Sequence, residues 1–207
     1  MAILFTDGVG VGRRDPDLNP LARADYLLSQ FDDGTGAPLP DGGARHDVDT
    51  TFAVPGRPQS ASNQTAIFTG QPAPRLVGRH VLGFPDAALR ALLAQHSIVR
   101  RLRDAGRTAT FANAFPVEYL DTLALKRRAA AHDDVRIPPR YARRLRASAS
   151  TLAFAASDVT FHALSEEAPV HDLTRVPPLE SARRFWALAA DFTLFEHFLA
   201  DEAGHAR

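Results

Sequence analysis

The sequence predicts an α/β fold with a largely parallel sheet, and three observations carry that prediction. Short apolar runs of strand character alternate with stretches of helical periodicity. Two of the apolar runs lead to an aspartate, Asp7 and Asp201, and sheets of this class place ligands at the carboxyl ends of their strands. The strongest periodic stretch, Asp86 to Ala105, sets Leu89, Leu92, Leu93, Ile98, Val99 and Leu102 at helical spacings. The chain has 207 residues, 45% of them hydrophobic, enough to bury a substantial core. It reads as one domain over residues 1–207, with 118–180 the least patterned part, of the character of a cap or peripheral helices.

The elements follow in order. Ala2 to Thr6 is a buried strand running into the tight loop Gly8 to Gly12. Residues 13–46 are rich in Pro, Gly and Asp, with a short helical patch from Leu21 to Phe31. Val48 to Val54 reads as a strand, and Pro55 to Pro58 as a turn. Ser60 opens a helix that reaches Gly70, capped by Ser or Asn. After the Asp86–Ala105 helix, Gly106 is the stop and Thr108 to Ala112 a strand. Residues 118–150 read as helical with a break at Pro138-Pro139, and Asp158 to Ala163 as a strand. Glu180 to Ala190 is a helix, and Phe192 to Leu199 an apolar run.

Composition excludes several classes. The 24 basic and 24 acidic residues cancel, which removes the electrostatic case for nucleic acid or an anionic membrane as partner. Cysteine is absent, so disulfides, thiolate metal sites and thiol nucleophiles are excluded. A metal would be held by Asp, Glu, His or hydroxyl oxygen, which suits Mn, Mg or Zn. The N-terminal residues lack a charged leader, and no apolar stretch approaches the roughly 20 residues that span a bilayer. A cytoplasmic location is the expectation.

Three motifs carry chemistry. The Gly8–Gly12 loop lacks the third glycine of a dinucleotide site and the Lys-Ser or Lys-Thr of a phosphate loop. Asp7 ends a buried strand, and its spacing leaves open whether it caps the loop or ligates a metal. Ser60 opens a helix, where a hydroxyl sits beside free backbone N–H groups at the positive end of the dipole, or serves as an ordinary cap. Asp201 and His205 are four apart, so a helical turn would put both metal-competent side chains on one face. His80, following Gly78-Arg79, is a candidate for lining a pocket, and Arg13 and Arg79 are candidate phosphate clamps.

These motifs occur together and in one order. The strand leading to Asp7-Gly8-Val9-Gly10 is followed by Pro58-Gln59-Ser60 through Phe68-Thr69-Gly70, then Gly78-Arg79-His80 and Gly83-Phe84-Pro85. Asn113-Ala114-Phe115 comes next, and Phe192-Thr193-Leu194-Phe195 leads through Asp201 to Gly204-His205. Together they resemble the bacterial metalloenzyme-domain proteins, relatives of cofactor-independent phosphoglycerate mutase in the alkaline phosphatase superfamily. The resemblance runs the length of the chain and is strongest over residues 49–85 and 191–205.

The resemblance implies an alkaline-phosphatase-like sheet flanked by helices, two divalent metal ions (Mn, Zn or Mg) and a small phosphorylated substrate. It implies phosphoryl transfer or phosphate-ester hydrolysis with Ser60 as nucleophile. On the same basis Asp7 and Ser60 would meet one metal, Asp201 and His205 would bind the other, and Asn63 would hydrogen-bond the transferred group. The family continues past its Asp-x-x-Gly-His element with further Asp and His ligands, whereas this sequence ends at Arg207. The expectation is therefore a C-terminally truncated member with an incomplete sheet and ligand set. A rival expectation is a catalytically inactive fragment that binds metal weakly, or associates with a partner or a second copy across an open sheet edge.

Overall fold

The computed structural model describes residues 1–113, 117–131, 136, 138, 147–156, 177–188 and 190–205. The chain divides into two compact units, Met1–Phe5 with Thr50–His197, and Thr6–Asp49 with Phe198–Arg207. The fold is mixed α/β, with a small parallel three-stranded sheet flanked by helices. The elements are β1 (Ala2–Thr6), α1 (Ser60–Thr69), α2 (Ala73–Val77), α3 (Ala87–His96), α4 (Ile98–Asp104) and β2 (Ala109–Phe111). They continue with α5 (Val117–Ala131), α6 (Ala149–Ala156), α7 (Pro178–Ala187), β3 (Phe192–His197) and α8 (Leu199–His205). No described helix is long and apolar enough to cross a membrane.

In the first unit the strand order is β1-β3-β2. β2 and β3 run parallel, with Ala109 opposite Phe192, Thr110 opposite Thr193 and Phe111 opposite Leu194. On the other side of β3 the Thr193 amide donates to the Met1 carbonyl at 3.0 Å. Phe111, Phe192 and Leu194 are fully buried against Phe68 of α1, Leu93 of α3, Val99 of α4 and Phe154 of α6. The Phe154 ring stacks on Phe111 at 5.1 Å and on Phe192 at 6.2 Å. Each such pair contributes about 0.5–1.5 kcal/mol beyond the burial of its area. A second cluster joins Ala61 and Ala66 of α1 to Ala73 of α2 and Leu89 of α3, with Phe52, Val77 and Val81 packed against it. The small residues of α1 let its neighbours approach closely on more than one side.

Several elements differ from the sequence expectation. The helix expected over Asp86–Ala105 is two helices divided at Ser97. The Ser97 backbone is extended (φ −60°, ψ 141°); its amide donates to the Leu93 carbonyl and its Oγ accepts from the Arg100 amide. One residue thus closes α3 and caps α4, which the apolar periodicity alone conceals. The strand expected over Val48–Val54 is a turn, with the Val54 amide donating to the Thr51 carbonyl at 2.9 Å. Phe52 and Ala53 both take positive φ, 53° and 55°, in the left-handed region that costs about 1–2 kcal/mol per residue. The helical patch expected over Leu21–Phe31 shrinks to a single 3-10 turn, Pro20–Arg23, because Asn19 and Pro20 start it and the Ser29 hydroxyl takes the Leu21 and Ala24 carbonyls. The apolar run from Phe192 is strand only to His197, and the next residues form α8. The strand expected over Asp158–Ala163 lies outside the described residues.

The start of β2 and the residue before β3 are tied by a reciprocal polar contact. The Thr108 amide and hydroxyl both donate to Asp191 Oδ2, at 2.9 and 3.0 Å, and the Asp191 amide donates to the Thr108 hydroxyl at 3.0 Å. These bonds, the Thr108 amide's first, hold the Asp191 carboxyl below its ordinary value of 3.8. A carboxyl depressed by folding stabilises the protein above that ordinary value, and the stabilisation is lost as pH falls through the lower folded value. Asp191→Asn is therefore expected to flatten the dependence of stability on pH in the acid range below about 3.8. Urea midpoints measured from pH 2 to 5 test this, and parallel wild-type and variant profiles there would contradict it.

Candidate functional site

In the second unit, Asp7 follows β1 and is half-buried, and its Oδ1 accepts the Gly8 amide at 2.9 Å. The carboxylate thus makes one bond to its own loop. Gly8 has φ 75°, and a Cβ there would overlap the backbone of Asp201, 2.6 Å from its amide nitrogen. Only glycine allows the Asp7 loop and the first turn of α8 to approach this closely. On α8 the four-residue spacing does what the sequence predicts, with His205 Nε2 3.5 Å from Asp201 Oδ1. The His205 side chain is 67% exposed, and it stands in the last turn of the helix, where the dipole favours a cation.

Asp201 and His205 are suitable in kind for a borderline divalent ion, offering one carboxylate oxygen and one imidazole nitrogen. They are insufficient in number. Among the described residues no three His, Asp or Glu side chains converge to hold a metal, so the two-ion set implied by the resemblance is not completed there.

Ser60 and Asn63 belong to the first unit, on α1. The structure places Gln59, not Ser60 or Asn63, at the N-cap, with φ −133° and ψ 144° and no side-chain capping bond. Ser60 is the first helical residue and is half-buried. The expected Ser or Asn cap is therefore corrected: the Ser62 hydroxyl and the Asn63 side-chain amide, each at 3.2 Å, both donate to the Gln59 carbonyl instead of receiving first-turn amides. One N–H of the Asn63 side-chain amide is thus engaged by its own helix. At the other end Gly70 takes φ 66° and closes α1 by donating its amide to the Ala66 carbonyl. Arg79 forms an ion pair with Asp86 at 2.5 Å, which also caps α3 through the Leu89 amide.

A polar cluster in the first unit escaped the sequence reading. Glu196, on β3, is 2% exposed and accepts the Ser150 hydroxyl at 2.5 Å. Ser148 shares hydrogen bonds with Ser150 at 2.7 Å and Thr151 at 2.9 Å, and caps α6 by accepting the Thr151 amide. Asn113, just past β2, exchanges two bonds of 2.8 Å with the Glu196 backbone. Tyr119 bonds to the Thr151 side chain, and burial pushes its phenol above the ordinary value. The available signal was parity: Glu196 alternates with Phe192 and Leu194, so a two-residue repeat turns its side chain inward with theirs. The opposing hydroxyls lie 46 residues away in sequence, beyond any local pattern. The cluster anchors a buried carboxyl, with Glu196, Ser150 and Thr151 buried and Asn113, Tyr119 and Ser148 half-buried around them.

No family model, curated protein or solved structure matches the chain.

Ser150→Ala removes a hydroxyl donor from a buried carboxylate, and a bond to a charged group contributes about 1.5–3 kcal/mol. The urea midpoint is expected to fall correspondingly with an unchanged slope. A midpoint equal to wild type would mean that the Ser150 hydroxyl contributes nothing to holding Glu196.

Proposed function

We propose that this chain is an alkaline-phosphatase-like domain whose chemistry is phosphoryl transfer or phosphate-ester hydrolysis on a small phosphorylated substrate. The observation that carries the reading is Ser60 at the first position of α1, a ten-residue helix that no Gln59 side chain caps. The hydroxyl stands beside first-turn N–H groups that have no partner within the helix, and both lie at the positive end of its dipole. That environment favours an alkoxide and accepts the oxygens of a phosphoryl group. In the reaction, Ser60 Oγ loses its proton to solvent and forms a bond to phosphorus as the ester oxygen leaves with its electron pair and takes a proton from solvent. In a hydrolase water then attacks phosphorus and the bond to Ser60 Oγ breaks, returning a proton to the serine; in a mutase a hydroxyl of the substrate takes the group in the same way.

Support from the second unit is the pairing of Asp201 with His205 and the close approach of the Asp7 loop to Asp201. By the resemblance, Asp7 would be a ligand of one divalent ion and Asp201 with His205 ligands of another, sets that the described residues leave incomplete. Such an ion supplies Lewis-acid polarisation of phosphoryl oxygens.

A second reading, a non-catalytic chain that works by association, is favoured by one observation. Among the described residues β1 is an edge of the sheet, and its Leu4 is 70% exposed. An edge strand with an exposed apolar side chain is a template for pairing.

Ser60→Ala is expected to reduce turnover of a simple phosphate ester about 10³-fold or more while the melting transition persists. Turnover at the wild-type rate removes Ser60 as nucleophile. In parallel, elemental analysis of chain loaded with Mn²⁺ or Zn²⁺ should give a metal content that falls in Asp201→Asn and His205→Ala. If the metal content of both variants equals that of wild type, the pair is not a ligand set. Sedimentation of the wild-type chain separates the second reading, which requires a concentration-dependent assembly that Leu4→Lys disperses.

A further inference from the structure

The segment from Val54 to Ser62, which contains Ser60, is gripped at both ends by two adjacent residues. His80 Nε2 lies 3.3 Å from the Val54 carbonyl. A carbonyl only accepts, so that nitrogen carries the proton and donates. The next residue, Val81, donates its amide to Ser62 Oγ at 3.1 Å, and Ser62 Oγ in turn donates to the Gln59 carbonyl at 3.2 Å. Ser62 is fully buried, and the Val81 side chain packs into the cluster of Ala61, Ala66 and Leu89. One turn after α2 therefore holds both the chain leading into α1 and the first turn of the helix itself.

The gripped segment adjoins the strained turn. Phe52 and Ala53, both at positive φ, immediately precede Val54. Phe52 packs against the same cluster, and the Arg75 guanidinium donates to its carbonyl at 3.3–3.4 Å. A bulky residue persists in that conformation only where the surroundings over-determine it, and strain of this kind gathers at functional sites. His80 Nδ1 is buried with no hydrogen bond among the described residues, so Nε2 supplies the polar contact of the ring.

The geometry points to His80 as a positioning residue that, with the Val81 amide, fixes where Ser60 sits. The segment it holds sets the path of Gln59 into α1 and so the placement of the Ser60 hydroxyl relative to the first-turn amides. This inference rests on the proposed role of Ser60, but the clamp itself is readable without any turnover.

The experiment compares His80→Leu, which fills the space without a donor, with His80→Gln, whose side-chain amide restores one. Amide hydrogen exchange is followed at Val54, Asn63 and Val81, which donate to the Thr51 carbonyl, the Gln59 carbonyl and Ser62 Oγ. In His80→Leu these three amides should exchange roughly tenfold faster or more, a local opening. Leu93 in α3 should be unchanged, and His80→Gln should recover most of the protection. Unchanged exchange at the three amides, an equal acceleration at Leu93, or failure of His80→Gln to recover protection overturns the clamp.

The second arm reads kcat and KM on p-nitrophenyl phosphate. His80→Leu should lose roughly tenfold in kcat with KM held, as misplacement of a reacting group does, and His80→Gln should regain it. Faster exchange with an unaltered kcat overturns the positioning of Ser60. Full turnover in Ser60→Ala instead sinks the nucleophile reading, and the exchange arm still decides the clamp.

Discussion

The first unit depends on β3 filling the middle of the sheet. It pairs with β2 on one side and with the N-terminal strand on the other. The Met1 ammonium donates to the Asp191 carbonyl across 190 positions of chain. Closing a loop of that length costs conformational entropy, but the cost grows only logarithmically with length. What offsets it is local to β3: the burial of Phe192 and Leu194, the Thr108–Asp191 bonds, and the Glu196 carboxylate reaching Ser150. Remove β3 and β1 and β2 have no shared partner, so neither cluster of aromatic rings nor the polar cluster around Asn113 has a frame.

Much of this was legible because it is local. β1 follows from an apolar run that ends before glycine, although as an edge strand it is exposed to half-buried and not the buried strand expected. The helix from Ser60 follows from a stretch with few breakers that ends at Gly70. The Asp201–His205 pair follows from spacing alone. What was hidden is of two kinds. Ser97 looks like an unremarkable interior position in a periodic stretch, yet it serves two helices through its backbone and its hydroxyl. Val48–Val54 has strand-like composition, but the Thr51 hydroxyl and carbonyl take the Ala53 and Val54 amides and bend the chain. In each case a hydroxyl side chain competed with the regular backbone pattern and won. The other kind is long-range: nothing near Glu196 announces Ser150, and nothing near Val54 announces His80.

The candidate site divides the same way. Residue types and spacings pointed to Ser60, Asp7, Asp201 and His205, and the family resemblance to Asn63; the structure shows local bonds for Asn63, Asp7 and the Asp201–His205 pair. Asn63 is turned onto Gln59, and Asp7 onto Gly8. Both contacts are with backbone groups one to four residues away, the kind of bond that a ligand with stronger charge can displace.

The central place of β3 also bears on how the chain is made. Synthesis proceeds from the N-terminus, so β1 and β2 leave the ribosome long before residues 192–197 exist. Throughout that interval Ile3, Phe5 and Phe111 lack the strand that joins them into one sheet. The helices α1 to α4 can form and cluster on the way, because their contacts are close in sequence. The sheet can close only once residues 192–197 have been made. From the completion of β2 until β3 emerges the nascent chain thus carries two unsatisfied strands, a stage at which a chaperone that shields β edges would have its greatest effect.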